Sequence, residues 1–324
     1  MNALPRISIV TPSYNQGQYI EQTILSVINQ NYPNLEYIVI DGGSTDDTVS
    51  ILKKYSDKLT YWVSEKDSGQ SHAINKGLKF CTGDVFNWLN SDDFLQPGAL
   101  AHIANEYKKK SFTALCCRVH VLNGTDFSHI RKPSYIGNSL EETIALFNIN
   151  QEGTWWSLDA VKHVGGVKED LYGVMDLDLW FNLLCTYPLD SFRSSSEIVS
   201  NFRRHEGAKS TQNRKNDFEN DLFWFEQLLL FQQFVPKSMK LNYGDLFPNS
   251  HKRIIIIPES KLPEIIKTRI TQLFLFQCTK NFYHSNNMKF ASAASTYLNA
   301  DLLKEKAGDI RYLKRMIFLK KWFN

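Results

Sequence analysis

The chain has 324 residues, of which 43% are hydrophobic and 22% are charged, and its formal net charge is +3. This is the composition of an ordinary globular protein, and it excludes a largely disordered chain. The basic charge is local to residues 311–324, which contain no acid, so the rest of the chain is slightly acidic and we expect no nucleic-acid partner.

The five cysteines form no CxxC pair and show no matching histidine spacing, which argues against a zinc site and against a disulfide framework. A reducing cytoplasm is therefore the expected compartment. The sequence shows no signal-peptide pattern and no run of about 18 uninterrupted apolar residues. We expect a protein that is neither secreted through a signal peptide nor membrane-spanning.

The first ~95 residues alternate β-branched runs with apolar residues at helical spacing. The predicted strands cover residues 7–10, 37–40, 59–63 and 83–89, and the predicted helices between them cover residues 20–28, 49–55 and 73–78. Such alternation is typical of a parallel α/β sheet. A helix and a strand follow over residues 100–107 and 114–121, after which the alternation loosens and short helices are predicted over 159–163 and 176–185.

From about residue 216 onward the signals are helical and the loops are polar. We therefore predict two regions, an α/β domain over residues 1–215 and a mainly helical extension over 216–324. Within the extension, residues 311–324 form an amphipathic helix with apolar and basic sides. Two interpretations stay open for this tail: an interfacial helix on anionic lipid, or a helix that docks on its own domain.

Polar side chains follow the fourth predicted strand directly. Asn90, Ser91, Asp92 and Asp93 come after a buried run that contains Trp88. Ligands of open α/β sheets bind at the carboxyl ends of the strands, and carboxylate oxygens suit a hard cation such as Mg²⁺. Taken alone, the same residues could also form a polar turn that caps the next helix.

Six motifs in order over residues 6–211 are specific enough to define a resemblance. The chain resembles the family 2 inverting glycosyltransferases of the bacterial surface-polysaccharide type. The motifs are SIVTPSYN (8–15), DGGSTD (41–46), DSGQSHAINKG (67–77), LNSDD (89–93), MDLDLW (175–180) and RRHEG (203–207).

The resemblance implies the GT-A fold, a Rossmann-like mixed α/β sheet. It also implies a nucleotide-diphosphate sugar donor, most simply a UDP-sugar, and a divalent cation, Mn²⁺ or Mg²⁺. A hexosyl or N-acetylhexosaminyl group would pass, with inversion, to a hydroxyl of a glycan or lipid-linked saccharide. Such an enzyme would lie in the cytoplasm, with the inner face of the membrane as an open possibility.

By resemblance, the donor is bound at the ends of the first strands. Tyr14 would lie against the base and Asp41 would accept a hydrogen bond from a base N–H, while Lys76 would either offset phosphate charge or be an ordinary solvated lysine. Asn90, where the family usually has aspartate, would contact the ribose as an amide. The full predicted donor-binding set is Pro12, Tyr14, Asn15, Asp41, Asp67, Lys76, Asn90, Ser91 and Asp92.

The resemblance also assigns the metal ligands and the base. Asp92 would hold the cation, with Asp93 assisting and His205 completing the shell, although a loop histidine is often a surface residue. Asp176 would be the general base that takes the proton of the acceptor hydroxyl. Asp178, two residues further along the helix, faces elsewhere and would cap the helix or bind the acceptor.

Trp155 and Trp156 would offer flat faces to an acceptor sugar, with core packing as the equal alternative. Three positions that are usually acidic in the family hold Gly42, Asn90 and Met175 instead. These departures keep a second hypothesis open, in which the chain is a catalytically silent module that binds a nucleotide sugar.

Overall fold

The computed structural model describes residues 4–209, 222–239 and 255–323, and the chain divides into two compact units. The first unit comprises Met1–Ile136 and Asn148–Gln212, and the second comprises Gly137–Phe147 and Asn213–Asn324. The predicted boundary after residue 215 lies outside the described residues and stays a prediction. The membership of Gly137–Phe147 in the second unit was not expected from the sequence.

The described part of the first unit is built on one mixed sheet of nine strands. Eight of them follow the spatial order β3-β2-β1-β4-β8-β6-β9-β5, and β7 pairs with β6. The strands are β1 (Ile7–Ser13), β2 (Leu35–Asp41), β3 (Tyr61–Ser64), β4 (Val85–Trp88), β5 (Phe94–Leu95), β6 (Ala114–Asn123), β7 (Asp126–Arg131), β8 (Thr154–Ser157) and β9 (Phe192–Arg204).

Helices connect these strands as the alternating pattern predicts. Those of the first unit are α1 (Ile20–Ile28), α2 (Thr48–Lys54), α3 (Gln70–Leu78), α4 (Ala99–Lys109), α6 (Leu158–His163) and α7 (Met175–Thr186), while α5 (Leu140–Ala145) belongs to the second unit. Single 3₁₀ turns in the first unit are Ser56–Lys58, Gln151–Gly153 and Leu189–Ser191.

The first strands are parallel, and their carboxyl ends meet at one edge. Strand β1 pairs with β2 and with β4, placing Ser13 opposite Asp41 and Val10 opposite Trp88. All residues of β1 and β4 are buried, as expected for strands that are covered on both faces. The residues that directly follow these strands therefore share one edge of the sheet.

Two antiparallel pairings complete this edge. Strand β8 runs antiparallel to β4, with Phe86 opposite Trp156, so the residues that precede β8 lie near the end of β4. The short strand β5 pairs antiparallel with β9, with Phe94 opposite Asn201. The end of β9 is thereby brought to the loop that joins β4 to β5.

The described part of the second unit is helical. Besides α5 it contains α8 (Leu222–Phe231), α9 (Glu264–His284), α10 (Met288–Thr296), α11 (Ala307–Phe323) and the 3₁₀ turns Gln232–Phe234 and Lys304–Lys306. Phe231 stacks on Phe274 with ring centroids 3.6 Å apart. No helix in the described ranges is long and apolar enough to cross a membrane.

Candidate active site

Asp92 and His205 lie side by side at the edge where the parallel strands end. Nε2 of His205 is 3.0 Å from Oδ2 of Asp92, and both side chains stay partly exposed, at 12% and 21% respectively. Because β5 and β9 pair antiparallel, the loop after β4 and the end of β9 must meet. Two of the predicted metal ligands therefore form a pair that a cation can reach.

Helix α1 holds the loop that carries Asp92. The hydroxyl of Thr23 donates to the backbone carbonyls of Ser91, at 2.8 Å, and Asp93, at 2.6 Å. Ser91 itself is buried, so its observed role is to hold the loop through its carbonyl. Fixed backbone on both sides of Asp92 limits the conformations of the loop.

Asp93 is buried and accepts hydrogen bonds on both carboxylate oxygens. The backbone N–H of Arg203 donates to Oδ1 at 2.9 Å, and the amide of Asn90 donates to Oδ2 at 3.3 Å. Burial, reinforced by the negative charges of Asp92 and Glu152, raises the pKa of Asp93 well above its usual range. Asp93 thus joins the β4 loop to β9, and its role as a cation ligand stays a prediction.

Asn90 has a structural reason to be an amide. Its Nδ2 donates to the buried carboxyl group of Asp93, a hydrogen bond that an ionised aspartate at this position could not donate. Its Oδ1 accepts from Nε2 of Gln70 at 2.8 Å. The carbonyl oxygen of the Gln70 side chain in turn accepts from Nζ of Lys209 at 3.1 Å. This chain of bonds connects three segments around the site.

The loops after β1 and β2 are clamped together. Asn15, in the left-handed region with φ of 51°, donates its N–H to Oγ of Ser44 at 2.7 Å and accepts from the N–H of Thr45 at 2.9 Å. Pro12 is buried in β1, whereas Tyr14 is 61% exposed. An exposed ring beside a fixed loop can stack on a planar base.

Asp41 is completely buried at the end of β2 and accepts four hydrogen bonds. The donors are the N–H of Gly43 at 3.2 Å, the N–H and hydroxyl of Ser44 at 2.9 and 2.5 Å, and the hydroxyl of Ser64 at 2.6 Å. These bonds shape the turn after β2. The predicted contact of Asp41 with a base stays a prediction.

The carboxylate of Asp67 lies close to Gly42 and leaves little space for a side chain at position 42. Its Oδ1 accepts from the N–H of Gly69 at 2.8 Å, and both of its oxygens would lie 3.1 Å from a Cβ placed on Gly42. An acidic side chain at position 42 would therefore crowd and repel Asp67. Lys76 forms an ion pair with Glu65 in this structure, so its predicted phosphate contact would require that pair to open.

Asp176 lies in the first turn of α7, where the N–H of Leu177 donates to its Oδ1 at 2.9 Å. Its surface is only partly exposed. Burial raises the pKa of Asp176 to about 7, and the negative charge of Glu152 adds to this effect, whereas the Leu177 N–H opposes it. A carboxylate with a pKa near neutral is suited to general-base catalysis.

Asp178 is buried and accepts a hydrogen bond from the amide of Asn182 at 3.0 Å. Burial raises the pKa of Asp178 to about 6, opposed by the charge of Lys168 and by the Asn182 bond. Its carboxylate is therefore used within α7, and an acceptor contact stays a prediction.

The two tryptophans are core residues. Trp155 and Trp156 are both 0% exposed, and Trp156 stacks on Trp88, with ring centroids 6.4 Å apart, and meets Trp180 edge to face. Core packing, the alternative left open by the sequence, describes both positions. An acceptor sugar cannot reach either ring in this structure, which corrects the interpretation of these residues as a sugar platform.

Sequence reasoning did not identify Glu152 as a site residue. It lies just before β8, is only 8% exposed, and has Arg131 as an ion-pair partner at 3.8 Å. Burial raises its pKa; the charge of Arg131 opposes this, and that of Asp92 reinforces it. A buried acid is not visible in the sequence, where Gln-Glu-Gly has the appearance of a turn.

The residues fit a cation that is shared with a substrate. Within the described ranges, no group of three or more histidine, cysteine or acidic side chains converges on one point, so the predicted set of Asp92, Asp93 and His205 does not close a cage. The adjacent, partly exposed Asp92 and His205 can still supply two ligands. Mg²⁺ is often held in this way, with phosphate oxygens and water completing the shell.

The fold is GT-A. The chain superimposes on the S. aureus protein TarS, residues 1–349, in complex with UDP-GlcNAc, with a TM-score of 0.62, 17% sequence identity and coverage of 97% of this chain and 89% of that one. At this identity the likeness describes the fold alone. It agrees with the expected mixed α/β sheet and with the helical C-terminal region.

The chain belongs to glycosyl transferase family 2, whose family model matches residues 8–182. An uncharacterised glycosyltransferase of Rickettsia typhi is 30% identical over 244 residues, which cover 73% of each chain. The chondroitin synthase of Escherichia coli is 35% identical over 111 residues, which cover 34% of this chain and 16% of the synthase. The predicted membership of glycosyltransferase family 2 is thereby confirmed.

Proposed function

We propose that this glycosyltransferase moves a hexosyl or N-acetylhexosaminyl group from a UDP-sugar to a hydroxyl of a glycan or lipid-linked saccharide of a surface polysaccharide, with inversion. The observation that carries the proposal is the placement of Asp92, His205 and Asp176 in one unit, at the sheet edge and in the first turn of α7. The complex of TarS with UDP-GlcNAc and the similarity to chondroitin synthase support this class of donor.

Each residue is assigned a role from the charge that it carries. Asp92 and His205 would hold Mn²⁺ or Mg²⁺, which offsets the negative charge of the departing diphosphate. Asp176 would take the proton of the attacking hydroxyl, on the face of the sugar opposite the diphosphate. The partly open Tyr14 would stack on the base, while the Asn15 clamp keeps its loop in place.

Two substitutions test this division. Asp92→Asn should abolish transfer and remove most of the Mn²⁺-dependent rise in melting temperature that UDP-GlcNAc produces. Asp176→Asn should keep that rise and lose transfer by about 10²-fold or more, the usual contribution of a general base. Asp57→Asn, at an exposed 3₁₀ turn, serves as the control and should behave like the wild type.

The pH dependence gives an independent check. Because Asp176 must be ionised to act as a base, wild-type turnover should rise as the pH increases through about 7. Full turnover by Asp176→Asn would overturn the base assignment. Binding of nucleotide sugars without transfer or hydrolysis, at any pH from 6 to 9, would instead favour the catalytically silent module.

A further inference from the structure

Glu152 has a buried carboxylate, one oxygen of which accepts no hydrogen bond within the described residues. The residue is 8% exposed, and its Oε2 receives no hydrogen bond from any group in the described residues. Arg131 lies 3.8 Å from this oxygen, which is close enough to offset charge but too far for a hydrogen bond. A buried carboxylate oxygen without a donor is unfavourable, so a structural role alone does not account for it.

The backbone around Glu152 is fixed from two sides. The amide of Gln151 donates to the side-chain oxygen of Asn87 at 3.0 Å and to the carbonyl of Trp88 at 2.5 Å. The hydroxyl of Ser200, on β9, donates to the carbonyl of Glu152 at 2.8 Å. Glu152 is thus held between the two strands whose ends supply Asp92 and His205.

Glu152 also lies within electrostatic reach of both halves of the site. The charge of Asp92 raises the pKa of Glu152, and the charge of Glu152 raises that of Asp176. The Gln151 side chain is bonded to Trp88 at the end of β4, and the carbonyl of Glu152 is bonded to Ser200 on β9, so Glu152 lies at the sheet edge that carries Asp92 and His205. In the proposed function, the donor sugar and the attacking hydroxyl would lie at this edge.

We propose that Glu152 is a sugar-binding residue, whose free carboxylate oxygen accepts a hydrogen bond from a saccharide hydroxyl in the active site. The inference rests on the proposed function and adds a specificity-determining residue to it. A site built to bond a hydroxyl discriminates strongly against an analogue without it, because the buried acceptor is then left unpaired. The hydroxyl belongs either to the donor sugar or to the acceptor.

The test compares Glu152→Gln with the wild type and with Glu197→Gln, an exposed glutamate on β9 that serves as the control. Glutamine keeps the size of the side chain, and a melting curve establishes that the variant is folded. The dissociation constants of UDP and of UDP-GlcNAc are measured with Mn²⁺, because UDP has the nucleotide and the diphosphate but lacks the sugar.

If the hydroxyl is that of the donor, Glu152→Gln should weaken binding of UDP-GlcNAc by roughly 10- to 100-fold and leave binding of UDP unchanged. If the hydroxyl is that of the acceptor, both constants should stay unchanged, and the KM of the acceptor in transfer assays should rise by a similar factor while donor hydrolysis is preserved.

Unchanged donor binding together with an unchanged acceptor KM would overturn the inference while leaving the proposed function intact. Equal weakening of UDP and UDP-GlcNAc would also overturn it, because the residue would then act on the nucleotide. If the wild type neither binds nor transfers from any nucleotide sugar, the proposed function fails first, and the inference fails with it.

Discussion

The carboxyl group of Asp176, the proposed general base, also affects the stability of the protein. In the folded chain its pKa is raised to about 7, whereas the usual aspartate value is 3.8. Between these values the folded state keeps a proton that the unfolded chain has released, so the free energy of unfolding falls as the pH rises through this window. Above pH 7 the charged carboxylate is fully destabilising, by at most about 4 kcal/mol.

Asp176→Asn should therefore stabilise the protein at high pH and have little effect at low pH. We expect the difference in melting temperature between variant and wild type to increase from pH 4.5 to pH 8, because the amide removes the buried charge. Thermal unfolding at both pH values measures this difference. Asp159→Asn, at an exposed position in the first turn of α6, should show no such trend; a pH-independent difference for Asp176→Asn would contradict the expectation.

For individual residues, the motifs predicted which side chains lie at the sheet edge. They could not predict which of these side chains are buried or which hydrogen bonds each one makes. Asp41 and Asp93 are as conspicuous in the sequence as Asp92, yet both are buried and already accept several protein hydrogen bonds. Glu152 was missed because its signal is three-dimensional: it becomes buried only when β8 joins β4 and β9 passes beside it.

The turn before β8 depends on a close approach to β6. A Cβ placed on Gly153 would lie 2.7 Å from the carbonyl oxygen of Cys117 and 2.6 Å from a methyl group of Val119. Real Cβ atoms do not approach backbone this closely, and Cys117 is in a buried part of β6. The strand pairing leaves this turn no room for a side chain.

Gly153→Ala should therefore destabilise the protein by about 1–3 kcal/mol, the usual cost of overpacking. Because Glu152 is adjacent, we also expect reduced turnover. Chemical denaturation measures the stability loss. Gly308→Ala, in α11 where nothing lies within 4 Å of the added methyl group, is the control and should be neutral or slightly stabilising. Equal stability of both variants would show that the turn has more freedom than the contacts indicate.

The elements were predictable only where local pattern and tertiary pairing agree. The first four strands and their helices were predicted because buried parallel strands form continuous apolar runs. Strand β9 was not predicted, because its residues from Arg193 to Glu197 include three consecutive serines and several exposed positions. Its pairing with β6, rather than its own composition, keeps that stretch extended.

At the scale of the molecule, the C-terminal helix α11 has two different sides. Ile310, Leu313 and Ile317 are buried within the second unit, whereas Tyr312 and Phe318 are 66% and 60% exposed. The observed packing fits the expectation of a helix that docks on its own domain, with Tyr312 and Phe318 outside the buried side. The side chains from residue 319 onward, including Lys320 and Lys321, lie outside the described set.

The exposed side of α11 keeps the proposal of a membrane contact open to test. It combines Tyr312 and Phe318 with the exposed Arg311 and Arg315, a pattern typical of interfacial helices. We expect the wild type to float with anionic liposomes and not with neutral ones. Arg311→Ser with Arg315→Ser should weaken that partitioning roughly 30-fold, at about 1 kcal/mol per basic residue.

Ile265→Ser, which alters an exposed residue of α9, is the control for this experiment. These substitutions are preferable to removing the tail, because truncation would uncover the apolar surface against which Leu313 and Ile317 pack. Equal partitioning of wild type and the double arginine variant would remove the membrane proposal without affecting the transferase assignment.

The antiparallel pairing of β5 with β9 also has a consequence for folding. Asp92 and His205 are 113 positions apart in the chain. The contact between them can therefore form only after the intervening strands have been ordered. During synthesis, the edge formed by β1, β2 and β4, where we propose that the nucleotide binds, can form early, whereas the pair of Asp92 and His205 must wait until residue 205 has left the ribosome. If the pair holds the cation as proposed, nascent chains that end before residue 205 should be unable to bind a metal–nucleotide complex, and the completion of β9 would set the moment at which the enzyme becomes competent.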